Sequence, residues 1–228
     1  VVWQRGERID LKTGRPGLHL VRSLFGLAAM YCFFYALGVL PLADAVLLNF
    51  TAPLFIPFVA MLWLKERVSP RIWAAIFIGF SGVLFILRPG GDLPASAALI
   101  GLASGAFAGV AMVSLRKLSA TEPALRVVVY YGVICTLVST VPLLWAWQPI
   151  NLRSLGIMAG AGSFATLGQY LLSRGYGCAP AAQIGPFTYA SVVFAALYGW
   201  LFWHELPGWA TAGGTLLIMI AGALAMRR

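Results

Sequence analysis

Charge is scarce in this sequence. Of its 228 residues only 10% are charged and 61% are hydrophobic, against a usual charged share of about 25%. A soluble core cannot absorb that apolar surplus, so the excess surface must face lipid. Cysteines number three, and Cys32, Cys135 and Cys178 lie far apart in or beside apolar segments. That spacing argues against a disulfide framework and for small buried hydrophobes. The two histidines, His19 and His204, fall on opposite membrane faces in the topology below, which excludes a two-histidine metal site. Neither G-x-S-x-G nor H-E-x-x-H occurs, so no enzyme activity, metal or cofactor is expected. No Asp, Glu, Lys, Arg or His lies near the centre of an apolar block. Asp44, Glu66, Glu205, His204 and Arg22 all stand at block ends, which leaves no mid-membrane carboxylate to relay protons or cations.

What is present is a succession of apolar blocks. A bilayer-crossing helix needs about 20 mostly apolar residues. Eight blocks meet or approach that length, at 19–40, 43–64, 72–87, 96–115, 127–147, 155–173, 184–203 and 209–226. Prolines punctuate most of the gaps, among them Pro41, Pro70, Pro94, Pro123 and Pro180. The short connections predict an all-α membrane protein, a compact up-and-down bundle of eight transmembrane helices. The formal net charge of +9 raises the question of nucleic acid, but the basic residues sit between apolar blocks and not on one soluble face. With the loops numbered alternately, fourteen of the 16 Lys and Arg fall on one side, and only Arg88 and Arg153 on the other. That bias predicts a multi-pass protein with both ends of the chain in the cytoplasm and the lipid bilayer, not nucleic acid, as its partner.

Two segments echo one another. Setting Glu66 on Glu205 is a shift of 139 residues; it aligns Trp63–Leu64 with Phe202–Trp203 and Pro53 with Val192. Each copy continues through a Trp (Trp73, Trp209) into a glycine-dotted helix. By the loop count Glu66 lies inside and Glu205 outside, so the copies cross the membrane in opposite senses, as inverted repeats of secondary transporters do. The segment FYALGVLPLADAVLLNFTAPLFIPFVAMLWLKERVSPRIWAAIFIGFSGVLFILRP resembles the latter part of an EamA repeat of the drug/metabolite transporter superfamily. The resemblance rests most on Pro53 followed thirteen residues later by Glu66, and on the matching Glu205. It implies a ten-helix bundle of two inverted five-helix repeats in a bacterial inner membrane. Residues 1–90 would be the first repeat without its first two helices, and 95–228 a complete second repeat. Val1–Trp3, ahead of a basic loop at 4–17, are expected to be the stump of an earlier span.

With no central charges, candidate solute contacts are uncharged polar groups at mid-depth. Tyr31 and Tyr35 share a helix face at i, i+4, and Asn49 shares another with Pro53 and Pro57, next to Thr51. Ser163, Thr166 and Tyr170 share a third, with Gln169 alongside, and Thr188 and Tyr189 lie on the penultimate span. Such groups are costly against lipid and should face a cavity or a neighbouring helix. The proposed substrate contacts are therefore Tyr31, Tyr35, Asn49, Thr51, Gln169, Tyr170, Thr188 and Tyr189. Pro53, Pro57 and Pro186 are the expected helix breaks. G-x-x-x-G spacings at Gly101–Gly109 and Gly156–Gly160 predict close helix packing. Glu66, between Lys65 and Arg67, is expected in an interfacial salt bridge. The expected function is carriage of a small organic metabolite by alternating access. The alternatives are a non-transporting membrane protein, as a truncated remnant or an assembly partner, and last an intramembrane enzyme. A homodimer is left open.

Overall fold

A computed structural model of the chain describes residues 11–40, 42–87, 94–204 and 209–226. Glu205 lies outside them. The described residues are helical, with no strand among them. Helix α1 spans Pro16–Val39. The next membrane segment is broken into α2 (Leu42–Asn49) and α3 (Ala52–Val59), and α3 runs on as a π-helical turn, Ala60–Leu64. Then come α4 (Pro70–Leu87), α5 (Ala95–Ser119), α6 (Ala124–Ala146) and α7 (Leu152–Cys178). A second broken segment follows: α8 (Ala181–Ile184), a 3₁₀ turn (Gly185–Tyr189) and α9 (Ala190–Trp203). Helix α10, Trp209–Met226, ends the described chain.

Local chemistry accounts for several boundaries. Pro16 opens α1, where its fixed φ suits the first turn and its missing N–H removes nothing. Asn151 caps α7, its side chain accepting from the Ser154 amide at 2.7 Å. Five segments, Pro16–Val39, Asp44–Leu64, Ala95–Ser119, Ala124–Ala146 and Leu152–Cys178, are long and apolar enough to cross a membrane. The predicted blocks at 72–87 and 209–226 form shorter apolar helices, and the 3₁₀ turn interrupts the one at 184–203. Leu62, Leu144 and Phe164 are 84%, 80% and 79% exposed, an arrangement stable against lipid and not against water.

Helices α1 and α3 both pack on α5, and α10 packs on α4. One apolar cluster joins Ile56 of α3, Val113 and Leu115 of α5, Val127 of α6 and Tyr176 of α7. Another joins Val83, Tyr189, Val192 and Ile218. The first glycine motif does pack: a Cβ on Gly105 would collide with Thr51 Oγ1 and stand 2.9 Å from the Leu48 carbonyl. The second does not, since Gly156 and Gly160 have nothing within 4 Å. The same spacing was expected to bring a second helix close, but here it faces open space among the described residues.

Element boundaries recur at the 139-residue offset. Helices α1 and α7 end at Val39 and Cys178, α2 and α8 begin at Leu42 and Ala181, and α4 and α10 match at both ends. Lys65 and His204, at φ of 56° and 57°, are the non-glycine residues with positive φ among those described, and they are offset by the same amount. Side chains rarely adopt that conformation, so its recurrence directly ahead of Glu66 and Glu205 is informative. A Cβ on Gly79 would meet Ala221, and one on Gly82 would meet Ile218. The order is reversed, so α4 and α10 run antiparallel. Shifted by 139, position 79 becomes 218 and position 82 becomes 221. The contact therefore exchanges equivalent positions, as a two-fold axis does.

Several exposed hydroxyls are satisfied within their own helix: Thr140 donates to Thr136 O, Ser163 to Ala159 O and Thr166 to Gly162 O, each at 2.8 Å. Outside the spans, in the α5–α6 turn, Glu122 accepts from Thr13 Oγ1 at 2.7 Å and from the Arg126 guanidinium. Burial works to raise its pKa, but the hydrogen bonds from Arg126 and Thr13 outweigh it and hold the carboxyl below its ordinary value of 4.5. A depressed carboxylate pKa stabilises the fold above the unfolded-state value, and that contribution is lost as pH falls through the folded-state value. The thermal midpoint should therefore lose this contribution once pH drops below 4.5. In Glu122→Gln that loss should flatten; an unaltered acid profile in the variant would assign the acid sensitivity elsewhere.

Candidate functional site

The two broken segments place irregular backbone inside the bundle. Pro53 lacks the N–H that would reach the Asn49 carbonyl, so the helix breaks ahead of it and α3 restarts with Pro53 in its first turn; Pro57 lies inside α3 and leaves the Pro53 carbonyl without its helical donor. The π-helical turn beyond them ends on Lys65 in the left-handed region. Around the break, side chains take over the bonding. Thr51 Oγ1 donates to Leu48 O at 2.6 Å, and Asn49 Nδ2 donates to Ser104 Oγ at 3.2 Å. Ser104 Oγ in turn donates a hydrogen bond to Gly101 O at 2.6 Å. The break is thus pinned to the glycine face of α5.

At the end of the α3 segment Glu66 joins four elements. Its Oε1 lies 3.5 Å from Arg116 Nε on α5, the interfacial ion pair expected from sequence. Its Oε2 accepts from the Ala181 amide at the start of α8, at 3.3 Å. Arg116 Nη1 also donates to the Tyr176 and Gly177 carbonyls near the end of α7, at 2.8 and 3.3 Å. A cation there satisfies carbonyls that the last helical turn leaves without partners.

Between α1, α6 and α7 opens a groove of about 1040 Å³, at the upper end of the range of roughly 300–1000 Å³ for small-molecule sites. Leu27 and Met30 give it an apolar wall, while Tyr131, Thr136, Ser139, Thr140, Thr166 and Gln169 give it polar groups. Beneath Gln169 lies Arg22, buried, with its guanidinium carbon 4.4 Å above the Tyr131 ring. Arg22 Nη2 donates to Gln169 Oε1 at 2.9 Å.

The residues proposed from sequence do not share one place. Gln169 lines the groove, and the Tyr31 hydroxyl donates to Ser139 Oγ on its wall at 3.2 Å. Tyr35 is exposed, Tyr170 is half-buried, and neither lines the groove. Asn49 and Thr51 face α5, with Pro53 and Pro57 buried beside them. Thr188 donates to Gly185 O at 2.7 Å within the 3₁₀ turn that holds Pro186. Tyr189 is buried against Gly79, its ring centroid 6.3 Å from that of Phe50. Sequence reasoning missed Arg22, Tyr131 and Ser104. Arg22 sat at the edge of its block, and its one signal was an arginine already inside the run LVRSLFGL.

These features define a polytopic helical membrane protein whose irregular, proline-broken segments lie within the bundle. The chain belongs to the EamA-like transporter family, whose profile matches residues 1–88 and 95–227. It is 35% identical over 213 residues to the pseudopaline exporter CntI of Pseudomonas aeruginosa, covering 92% of this chain and 74% of that protein. The riboflavin transporter of Vibrio cholerae is 29% identical, covering 94% of this chain and 73% of its own length. An S-adenosylmethionine uptake transporter of Rickettsia bellii is 26% identical, covering 92% of this chain and 72% of its own. A crystal structure with 23% sequence identity shares the fold, with a TM-score of 0.79 over 95% of this chain and 77% of that one.

Proposed function

We propose that this chain works as a secondary carrier, moving a small organic metabolite across a bacterial inner membrane by alternating access. The observation that carries the proposal is family membership over nearly the whole chain, joined to two helix-broken segments inside the bundle. Relatives named as exporters and as uptake transporters share this sequence pattern, so the fold serves either direction. The finer architecture is two inverted repeats, 1–90 and 95–228, of a ten-helix bundle with both ends of this chain cytoplasmic. The recurring boundaries, the antiparallel α4–α10 contact and the basic-residue bias support it.

In this carrier Tyr31, Tyr35, Asn49, Thr51, Gln169, Tyr170, Thr188 and Tyr189 are the solute contacts met in turn as the cavity opens to either side. Pro53, Pro57 and Pro186 are where the two segments bend. The Glu66–Arg116 junction closes one end and must open once per cycle. Reconstitution of the intact protein with a panel of metabolites tests the reading directly: flux of at least one solute is expected, and flux of none overturns it. Asn49→Leu should cut that flux severalfold. It should shift the thermal midpoint little, because one interhelical hydrogen bond in a membrane is worth only about 0.6 kcal/mol. Unchanged flux would make the Asn49–Ser104 bond a purely structural tie.

A further inference from the structure

We propose that Arg22 is an anion anchor for the groove, a site for the carboxylate of a small organic solute; this deepens the carrier reading and rests on it. An arginine near the end of a span ordinarily extends its head to the water. Arg22 does the reverse. It begins six residues into α1 and is only 2% exposed, folded beneath α6 and α7. Its guanidinium lies over the Tyr131 ring and bonds Gln169, while its Nε has no hydrogen-bond partner among the described residues.

No described carboxylate neutralises it. Glu66 is engaged by Arg116 and the Ala181 amide, and Glu122 by Thr13 and Arg126. Asp44 lies in the first turn of α2, beyond the far end of α1. The groups that face Arg22 electrostatically are Tyr131, Cys135 and Tyr176, none of them anionic at neutral pH. A buried membrane charge without a counter-charge is costly, and such charges mark solute and ion paths.

The geometry also shows how an acid would arrive. Gln169 Oε1 stands 2.9 Å from Nη2, where one carboxylate oxygen would stand, but an amide supplies no charge. Gln169 and Tyr131 both line the groove and both cover the guanidinium, so an acid entering the groove meets the two side chains that stand between it and Arg22, and takes the place of the Gln169 amide. The guanidinium fork then offers paired donors to a planar carboxylate. Leu27 and Met30 receive the rest of the molecule. The position 139 residues further on is Ala161, so one copy alone carries the anchor.

The test is thermal unfolding of the intact purified carrier in phosphatidylcholine nanodiscs. Benzoate, succinate and L-tryptophan are compared with benzamide, succinamide and L-tryptophanamide. At least one acid should raise the midpoint while its amide does not. Arg22→Gln should weaken that acid roughly tenfold or more, the worth of a hydrogen bond to a charged group. Arg22→Lys should retain part of the affinity. Equal shifts from acid and amide, no shift from any acid, or a full shift in Arg22→Gln would each overturn the anchor. The acid–amide comparison needs no variant, so it decides even if Arg22→Gln misfolds. Replacing phosphatidylcholine with phosphatidylglycerol separates the sources: an Arg22-dependent rise with that lipid, and with no solute, overturns the solute carboxylate in favour of a headgroup phosphate. Acid binding without flux of any metabolite retires the carrier reading and keeps the anchor. Flux of neutral metabolites without acid binding does the opposite.

Discussion

Gly105→Leu should lower the thermal midpoint of the purified protein by about 6–12 °C, taking roughly 3 kcal/mol as the cost of overpacking in a protein of this size. The added Cβ meets Thr51 Oγ1 and two backbone groups, the Leu48 carbonyl at 2.9 Å and the Ala52 amide at 3.2 Å. A flexible side-chain tip could move away, but a backbone carbonyl in the pinned break cannot. The leucine must therefore push α5 off the α2–α3 junction and take the Asn49–Ser104 bond with it. Gly213→Leu is the control, since Gly213 on α10 is exposed with nothing within 4 Å. Tryptophan fluorescence followed through a thermal ramp reads both. Equal midpoints for the two variants would mean that α5 does not press on the break.

Arg116→Ala should have the second largest effect. It removes the charged donor to the Tyr176 and Gly177 carbonyls and leaves Glu66 without its ion-pair partner. Hydrogen bonds to a charged group contribute about 1.5–3 kcal/mol. The ion pair is about a fifth exposed on each side, so by itself it adds only roughly 0.2–1 kcal/mol. The midpoint should fall by about 4–10 °C, more than in Glu66→Gln, which keeps the carbonyl bonds intact. Arg116→Lys should recover only part, because an ammonium cannot bond Glu66 and two carbonyls with a fixed fork. A double-mutant cycle with Glu66 isolates the pair; a coupling near zero would leave the carbonyl bonds as the whole effect.

How much of this was legible in the sequence depended on whether the signal was local. The all-helical membrane class was legible because lipid imposes length and apolarity residue by residue. The 139-residue correspondence was read at Glu66 and Glu205 from identity alone; the helix ends and the positive-φ residues Lys65 and His204, which fall at the same offset, could not be read from sequence. Tyr31 and Tyr170, and likewise Asn49 and Thr188, were chosen from sequence for separate reasons and turn out to be related by that offset too. Two other features were illegible, each for a physical reason. Identical G-x-x-x-G spacings at Gly101–Gly109 and Gly156–Gly160 differ only in what lies opposite. Arg22 read as an end charge because its burial depends on α6 and α7, more than 100 residues away.

The hydroxyls of Thr140, Ser163 and Thr166 have a consequence for how the protein is made. Each donates to its own helix at 2.8 Å, so each polar hydrogen is already spoken for before any neighbour arrives. At these three positions a helix enters lipid without a partner to shield it, since each hydroxyl donor is already satisfied. For these hydroxyls α6 and α7 need no neighbour at insertion, whereas Ser139 and Gln169 meet Tyr31 and Arg22 only when α1 packs against them. Arg22 on α1 has no such provision. Its span is best settled in the bilayer after α6 and α7 have brought up the aromatic face and the amide that cover the charge, which places the joining of distant segments, not the insertion of each one, at the slow end of assembly.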